Sequence, residues 1–149
     1  MKELIALGLI NEDTINLVAQ NGDLKRLKRL HEEGCPWDST ACKFAIANGQ
    51  LKCLKYLHQE GCEWESTSCW LAARYGHLDC LKYLHENGCP WNWEVYKVAT
   101  SNDCRDYLNR KGCPKYYGQD QIIAFNILFL GIMLSSLLIW LGIHFDINV

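Results

Sequence analysis

The sequence predicts an all-α solenoid of stacked helix-turn-helix repeats with shortened loops, followed by one C-terminal transmembrane helix. Two observations predict this fold class: a 27-residue period over most of the chain and an uncharged apolar run near its end. A third observation, apolar residues three and four positions apart inside each repeat, indicates helices rather than strands.

Three copies of one segment begin at Asn21, Asn48 and Tyr75. A Gly-Cys pair, followed two residues later by Trp, recurs in each copy at Gly34, Cys35 and Trp37, at Gly61, Cys62 and Trp64, and at Gly88, Cys89 and Trp91. A half copy at 1–20 precedes them, and a degenerate capping copy over 102–114 arrives three residues early. The predicted domains are the repeat array over 1–114, a linker over 115–121, a transmembrane helix over 122–143 and a tail over 144–149.

The first half of each copy has the pattern of a short amphipathic helix. In the copy with the clearest spacing, Cys69, Ala72 and Ala73 fall at i, i+3 and i+4 and form one apolar stripe. Ser66 or Thr67 precedes the stripe and is the predicted N-cap residue.

The second half of each copy predicts another helix, reached through a turn at Tyr75-Gly76. Leu78, Leu81 and Leu84 line one face of this helix, and Gly88 is expected to end it in the left-handed conformation. A helix pair this small cannot bury its own apolar stripe, so neighbouring repeats must stack.

The stretch "TSCWLAARYGH" from Thr67 to His77 resembles the ankyrin-repeat pattern T-P-L-H-x-A-A-x-x-G-H. Its two alanines, its glycine and its final histidine are identical to the pattern, and Trp70 stands at the histidine place. The resemblance covers roughly Glu12 to Pro114. The short copies are similar to ankyrin repeats that are abundant in large DNA viruses and in some protists.

The copies are shorter than ordinary ankyrin repeats, which have about 33 residues. The helical part from Thr67 to Gly88 has its full length, so the shortening falls between Gly61 and Thr67. Ankyrin proteins project a β-hairpin finger from this segment. We therefore expect shortened or absent fingers.

The resemblance implies a non-enzymatic module that binds an unidentified protein partner. The binding residues are sought where the copies differ, on the first helix and its turn, which the resemblance places on the concave side of the stack. Trp, Tyr and Arg are enriched among interface hot spots. The candidate partner-binding residues are Lys43, Trp70, Arg74, Tyr75, Trp93 and Lys97. The alternative for Trp70 is that it only covers the neighbouring repeat.

Histidine and cysteine recur together, because His31, His58 and His85 each precede a cysteine by four positions. Tetrahedral zinc needs four converging ligands, whereas one repeat offers at most two and the sequence has no CxxC pair. A catalytic site is a unique constellation, and these residues come in near-identical sets. The sequence therefore predicts packing roles for these residues, and for Trp37, Trp64 and Trp91 between successive repeats, and no catalytic residue, metal, cofactor or small-molecule substrate. A Cys/His metal or redox protein is the alternative.

The charge of the chain argues against a nucleic-acid partner, and its cysteine content indicates the compartment. The net charge is −2, with 15 basic and 17 acidic residues, so the basic excess typical of nucleic-acid binding is missing. The cysteine count is odd, at nine, and no secretory signal is visible at the start. Reduced thiols in the cytosol are expected.

The C-terminal run over 122–143 holds 22 residues without a charge, enough for a helix that spans a bilayer. Arg110, Lys111 and Lys115 precede it, so the repeats are expected to face the cytosol in a single-pass membrane protein. The alternatives are an apolar cap on the last repeat, an accidental tail, or a fragment of a larger soluble ankyrin array.

Overall fold

The computed structural model describes residue 3 and residues 7–115, 127–130 and 132–133. The chain divides into two units, Met1–Lys115 and Tyr116–Val149. Between residues 7 and 115 the chain forms four successive helix pairs: α1 (Glu12–Asn21) with α2 (Leu24–Glu32), α3 (Ser39–Ala47) with α4 (Leu51–Gln59), α5 (Ser68–Tyr75) with α6 (Leu78–Glu86), and α7 (Trp93–Val98) with α8 (Asn102–Arg110).

The helices of the first unit stack in two layers. The first helices of the pairs, α1, α3, α5 and α7, pack in sequence, and the second helices, α2, α4, α6 and α8, form the other layer. The core lies between the layers, and the predicted stripe of Cys69, Ala72 and Ala73 is fully buried in it. The leucines that share this burial are Leu27, Leu30, Leu54, Leu57, Leu81, Leu84 and Leu108. The helical repeat part of the predicted fold class is confirmed.

Consecutive repeats are also joined by hydrogen bonds at the ends of the first helices. There the last carbonyls of a helix lack intrahelical partners and need other donors. In each case the partner side chain comes from the following repeat. The bonds run from Gln50 Nε2 to the Gln20 carbonyl at 3.2 Å, between His77 Nε2 and the Ala47 carbonyl at 3.0 Å, and from the Thr100 hydroxyl to the Arg74 carbonyl at 3.0 Å.

Glycines end the helices as the sequence predicts. Gly88 follows α6 with φ of 85°, and Gly76 follows α5 with φ of 75°, both in the left-handed region.

The segments between pairs are short: only residues 33–38 separate α2 from α3, and no strand occurs in residues 7–115. The shortened copies therefore connect their helix pairs without a β-hairpin finger.

The predicted transmembrane helix is the part of the fold class that is wrong. Crossing a bilayer takes about 20 apolar residues in one helix, at about 1.5 Å per residue. No helix in the part of the chain that the structure describes is long and apolar enough to do so. Of the predicted span over 122–143, only 127–130 and 132–133 are described, as exposed helical residues, and the rest lies outside the described residues.

The prediction of a single-pass membrane protein with its repeats facing the cytosol depended on that helix and is wrong with it. The described part of the chain is an all-helical repeat solenoid, and none of its helices could span a membrane. The division into domains at 114 and 121 stays a prediction.

Candidate functional site

A cluster of one histidine, one tryptophan and one tyrosine recurs at each junction between repeats. In the central junction, the rings of His58 and Trp64 are in contact, with their centroids 3.9 Å apart and their planes tilted by 36°. His58 Nδ1 forms a 2.9 Å hydrogen bond with the hydroxyl of Tyr83, which belongs to the next repeat. The same contacts join His31 with Trp37 and Tyr56, and His85 with Trp91 and Tyr107.

These clusters explain why histidine and tryptophan recur in the sequence. Burial raises the pKa of the Tyr83 hydroxyl, so it stays protonated and available for the hydrogen bond. One nitrogen of each cluster histidine is already engaged by a tyrosine. Within the described ranges, no group of three or more His, Cys, Asp or Glu residues is placed to hold a metal ion. The predicted packing role of these histidines and tryptophans is confirmed by the ring contacts.

All nine cysteines are buried free thiols, which confirms their predicted packing role. The Cys62 thiol donates to the carbonyl of Asp38 at 3.1 Å and so ties the end of its helix pair to the beginning. Burial raises the pKa of Cys80 to about 12. Because the thiolate is the nucleophilic form, a thiol with so high a pKa is unreactive near neutral pH.

An open groove with a volume of about 770 Å³ lies along the layer of first helices. It runs across α3, α5 and α7 and includes the loops that precede α5 and α7. The lining residues are Ser39, Lys43, Glu65, Ser66, Thr67, Ser68, Trp70, Leu71, Pro90, Trp91, Asn92, Trp93, Glu94, Val95, Lys97 and Val98.

The loop before α5 lines the groove because α5 begins later in its repeat than α3 and α7 do in theirs. Asp38 and Asn92 cap α3 and α7 by accepting from the backbone N–H two residues on, at 2.8 and 3.0 Å. Glu65 occupies the equivalent position before α5, and its longer side chain is not a preferred N-cap. The helix begins at Ser68, and the N-cap position falls to Thr67, whose side chain makes no capping hydrogen bond.

Four of the six candidate binding residues, drawn from three helices, meet in this groove. Lys43 comes from α3, Trp70 from α5, and Trp93 and Lys97 from α7. Lys97 Nζ lies 5.8 Å from the ring centroid of Trp93. The arrangement places apolar aromatic area beside positive charge on one open surface.

The two other candidates lie outside the lining. The Arg74 guanidinium is 5.2 Å from the ring centroid of Trp70 and therefore borders the groove. Tyr75 is 54% exposed at the end of α5, where its ring is stacked 6.4 Å from that of His77. Tyr75 therefore lies apart from the four candidates that line the groove.

A family model described as ankyrin repeats, in three copies, matches residues 15–94. The chain is an ankyrin-repeat protein. No curated protein matches it. Ankyrin repeats are protein-interaction modules and are generally non-enzymatic, so the family implies a protein partner.

In this ankyrin-repeat protein, sequence reasoning missed the loop that lines the groove before α5. Glu65 and Ser66 were not among the candidates, yet both line the groove. The signal was available, because Glu65 stands where the neighbouring copies have the good N-cap residues Asp38 and Asn92. Trp91 was assigned to packing alone and also lines the groove.

Proposed function

We propose that this ankyrin-repeat protein binds a partner protein through the groove across α3, α5 and α7. The observation that carries the proposal is the convergence of Lys43, Trp70, Trp93 and Lys97, from three helices, on one open surface. The helices belong to a stacked array whose buried core holds them in place, so the surface is preformed.

The composition of the groove supports a protein ligand. Trp70 and Leu71 on α5, with Val95 and Val98 on α7, give the lining an apolar part. Aromatic side chains are enriched in the buried centres of protein interfaces, where their large area is desolvated.

Charges at the groove are of both signs. Lys43 and Lys97 are exposed cations, and Glu65 and Glu94 are exposed carboxylates. Charged groups around an apolar centre contribute mainly to specificity and to the association rate. We therefore expect a partner segment that inserts an apolar side chain beside the tryptophans and places polar groups against these charges.

The proposal is tested by site-specific photo-crosslinking in an extract of the native cells. A photo-reactive residue replaces Ser66, which lines the groove and is exposed, and the matched control carries it at Lys52, which is exposed on α4 in the other layer. We expect a discrete protein adduct from position 66 and none from position 52. Adding Trp70→Ala should remove the adduct, because truncating a buried aromatic anchor typically costs more than 1 kcal/mol of binding.

Two outcomes contradict the proposal. One is an adduct of equal yield from position 52. The other is an adduct from position 66 that persists in the Trp70→Ala variant while circular dichroism shows unchanged helical content.

A further inference from the structure

Two buried thiols in the second repeat are in direct contact. Cys42 lies on α3 and Cys62 follows α4, and the Cys42 thiol donates to Cys62 Sγ across 3.1 Å. Cys42 is 0% exposed and Cys62 is 4% exposed, so few other groups can reach either sulfur in the folded chain.

The next repeat has a cysteine pair at the same two positions. Cys69 lies on α5 and Cys89 follows α6, and the Cys69 thiol lies 3.6 Å from the Cys89 carbonyl oxygen. At the equivalent places in the outer repeats, Ile15 and Tyr96 stand where Cys42 and Cys69 stand. The cysteine pairs are therefore confined to the two central repeats. In the outer repeats, Cys35 and Cys113 follow the second helices, but no cysteine occupies the other position of the pair.

We propose that Cys42 with Cys62, and Cys69 with Cys89, are sites of reversible disulfide formation. The proposal goes beyond partner binding and does not depend on it. Its basis is the contact between the Cys42 and Cys62 sulfurs and the recurrence of a cysteine pair at the same positions of the next repeat. The fold of the helix pair alone places the two thiols side by side, without a bound partner.

Thiol–disulfide exchange with a low-molecular-weight disulfide such as oxidised glutathione completes the reaction. The Cys62 thiolate attacks one sulfur of the oxidant, forms a mixed disulfide and releases one small thiolate. In the mixed disulfide, Cys62 is no longer the thiolate whose hydrogen bond is the largest cause of the raised pKa of Cys42, so Cys42 then loses its proton, attacks Cys62 Sγ and releases the second small thiolate. The two protons lost by the cysteines pass to the released thiolates, so two protein thiols are oxidised and one small disulfide is reduced to two thiols.

Cys62 is the first attacking residue in this sequence. The hydrogen bond donated by Cys42 lowers the pKa of Cys62, whereas the same hydrogen bond and burial raise the pKa of Cys42. Cys62 is also the more exposed of the two and lies in a loop, where local opening admits the oxidant.

Each disulfide would cross-link a first helix to the end of its own helix pair. The cross-linked residues are 20 positions apart, so the bond removes loop-closure entropy from the unfolded chain. Cys42 and Cys69 are the neighbours of Lys43 and Trp70 in sequence, and the bonds therefore also fix the two helices that carry these groove residues.

The test uses the full chain equilibrated in buffers with increasing ratios of oxidised to reduced glutathione. Samples are quenched by alkylation, digested and mapped by mass spectrometry, and their melting temperatures are recorded. We expect two cross-linked peptide pairs, Cys42 with Cys62 and Cys69 with Cys89, each lighter by two hydrogen atoms. The melting temperature should rise by at least about 10 °C for each disulfide formed, as expected for a loop of this size in a domain of about 100 residues.

Two variants sharpen the result. Cys62→Ala should abolish the first cross-link and leave the second, and the matched control Cys53→Ala, equally buried on α4, should leave both. The proposal is overturned if the chain, shown to be helical at the oxidising end of the series, yields neither peptide pair. It is also overturned if Cys62 accumulates only as a glutathione adduct, or if other cysteines pair first. The wild-type titration decides the matter even if a variant does not fold.

Discussion

The imidazole of His85 stacks on the indole of Trp91, with ring centroids 3.5 Å apart and planes 15° from parallel. Its Nδ1 lies 2.9 Å from the hydroxyl of Tyr107, in the following helix pair. One side chain therefore joins a contact inside its repeat to a hydrogen bond across the junction. The same arrangement recurs at His31 and His58 because the repeats stack in the same way.

Tyr83→Phe should destabilise the array, because it removes the hydroxyl that hydrogen-bonds with His58 Nδ1 while keeping the ring. The loss is about 1 kcal/mol, or a fall in melting temperature of about 4–8 °C. Tyr75→Phe is the control, since Tyr75 is exposed and its hydroxyl lies outside the junctions. Equal melting temperatures for Tyr83→Phe and the wild type would show that the bond contributes nothing to stability.

Stability should fall as the pH drops below about 6.5. Burial, with Lys111 as the second cause, lowers the pKa of His85 from its ordinary value of 6.5, so the folded chain binds this proton less readily than the unfolded chain. The free energy of unfolding therefore decreases as the pH falls below 6.5 and is fully restored above it. His85→Gln should flatten this dependence in denaturant titrations over pH 5–8. Parallel curves for the two proteins would contradict the account.

Glu65→Asn should stabilise the protein by giving α5 the cap that α3 and α7 have. Asn92 shows the expected geometry, with its side chain accepting from the Glu94 N–H at 3.0 Å. A good N-cap contributes about 1 kcal/mol, so the melting temperature should rise by about 4–8 °C. The control Glu63→Asn removes the same charge from an exposed position in the same loop. Similar shifts in both variants would indicate a charge effect instead of capping.

Gly49→Ala should cost more stability than Gly61→Ala. Both glycines have positive φ, 68° and 84°, so both substitutions strain the backbone by roughly 1 kcal/mol. A Cβ at Gly61 would meet nothing within 4 Å, whereas one at Gly49 would lie 2.7 Å from Nδ1 of His77. That side chain hydrogen-bonds with Ala47, so displacing it weakens the junction. Chemical denaturation measures the difference, and equal losses would contradict it.

The 27-residue period was enough to predict the helix pairs, because each copy repeats the same apolar spacing and the same glycine. Leu81 and Leu84 are buried and Gly88 is left-handed, as that spacing requires. The hydrogen bonds across the junctions were not predicted, since they join residues such as His58 and Tyr83 that are 25 positions apart. Only the stacking of successive copies brings such pairs together.

The groove was predicted in part. Variation between copies pointed to Trp70 and Trp93, but exposure and sequence neighbourhood also pointed to Tyr75, which lies away from the lining. Whether such a residue lines the groove depends on the direction of its side chain at the end of a short helix, which the spacing of residues in the repeat does not determine. The apolar run over 122–143 predicted a spanning helix from hydropathy alone, whereas spanning requires one continuous apolar helix, and no helix among the described residues meets that requirement.

The most direct test of groove binding is the dissociation constant of the partner identified by crosslinking, measured by titration calorimetry against the wild type and Trp70→Ala. Removing this side chain should weaken binding at least tenfold, about 1.4 kcal/mol, without changing helical content. Phe44→Ala is the matched control, because Phe44 is an exposed aromatic residue on α3 outside the groove lining, and it should leave the constant unchanged. An unaltered constant for Trp70→Ala, or an equal loss for Phe44→Ala, would contradict binding in the groove.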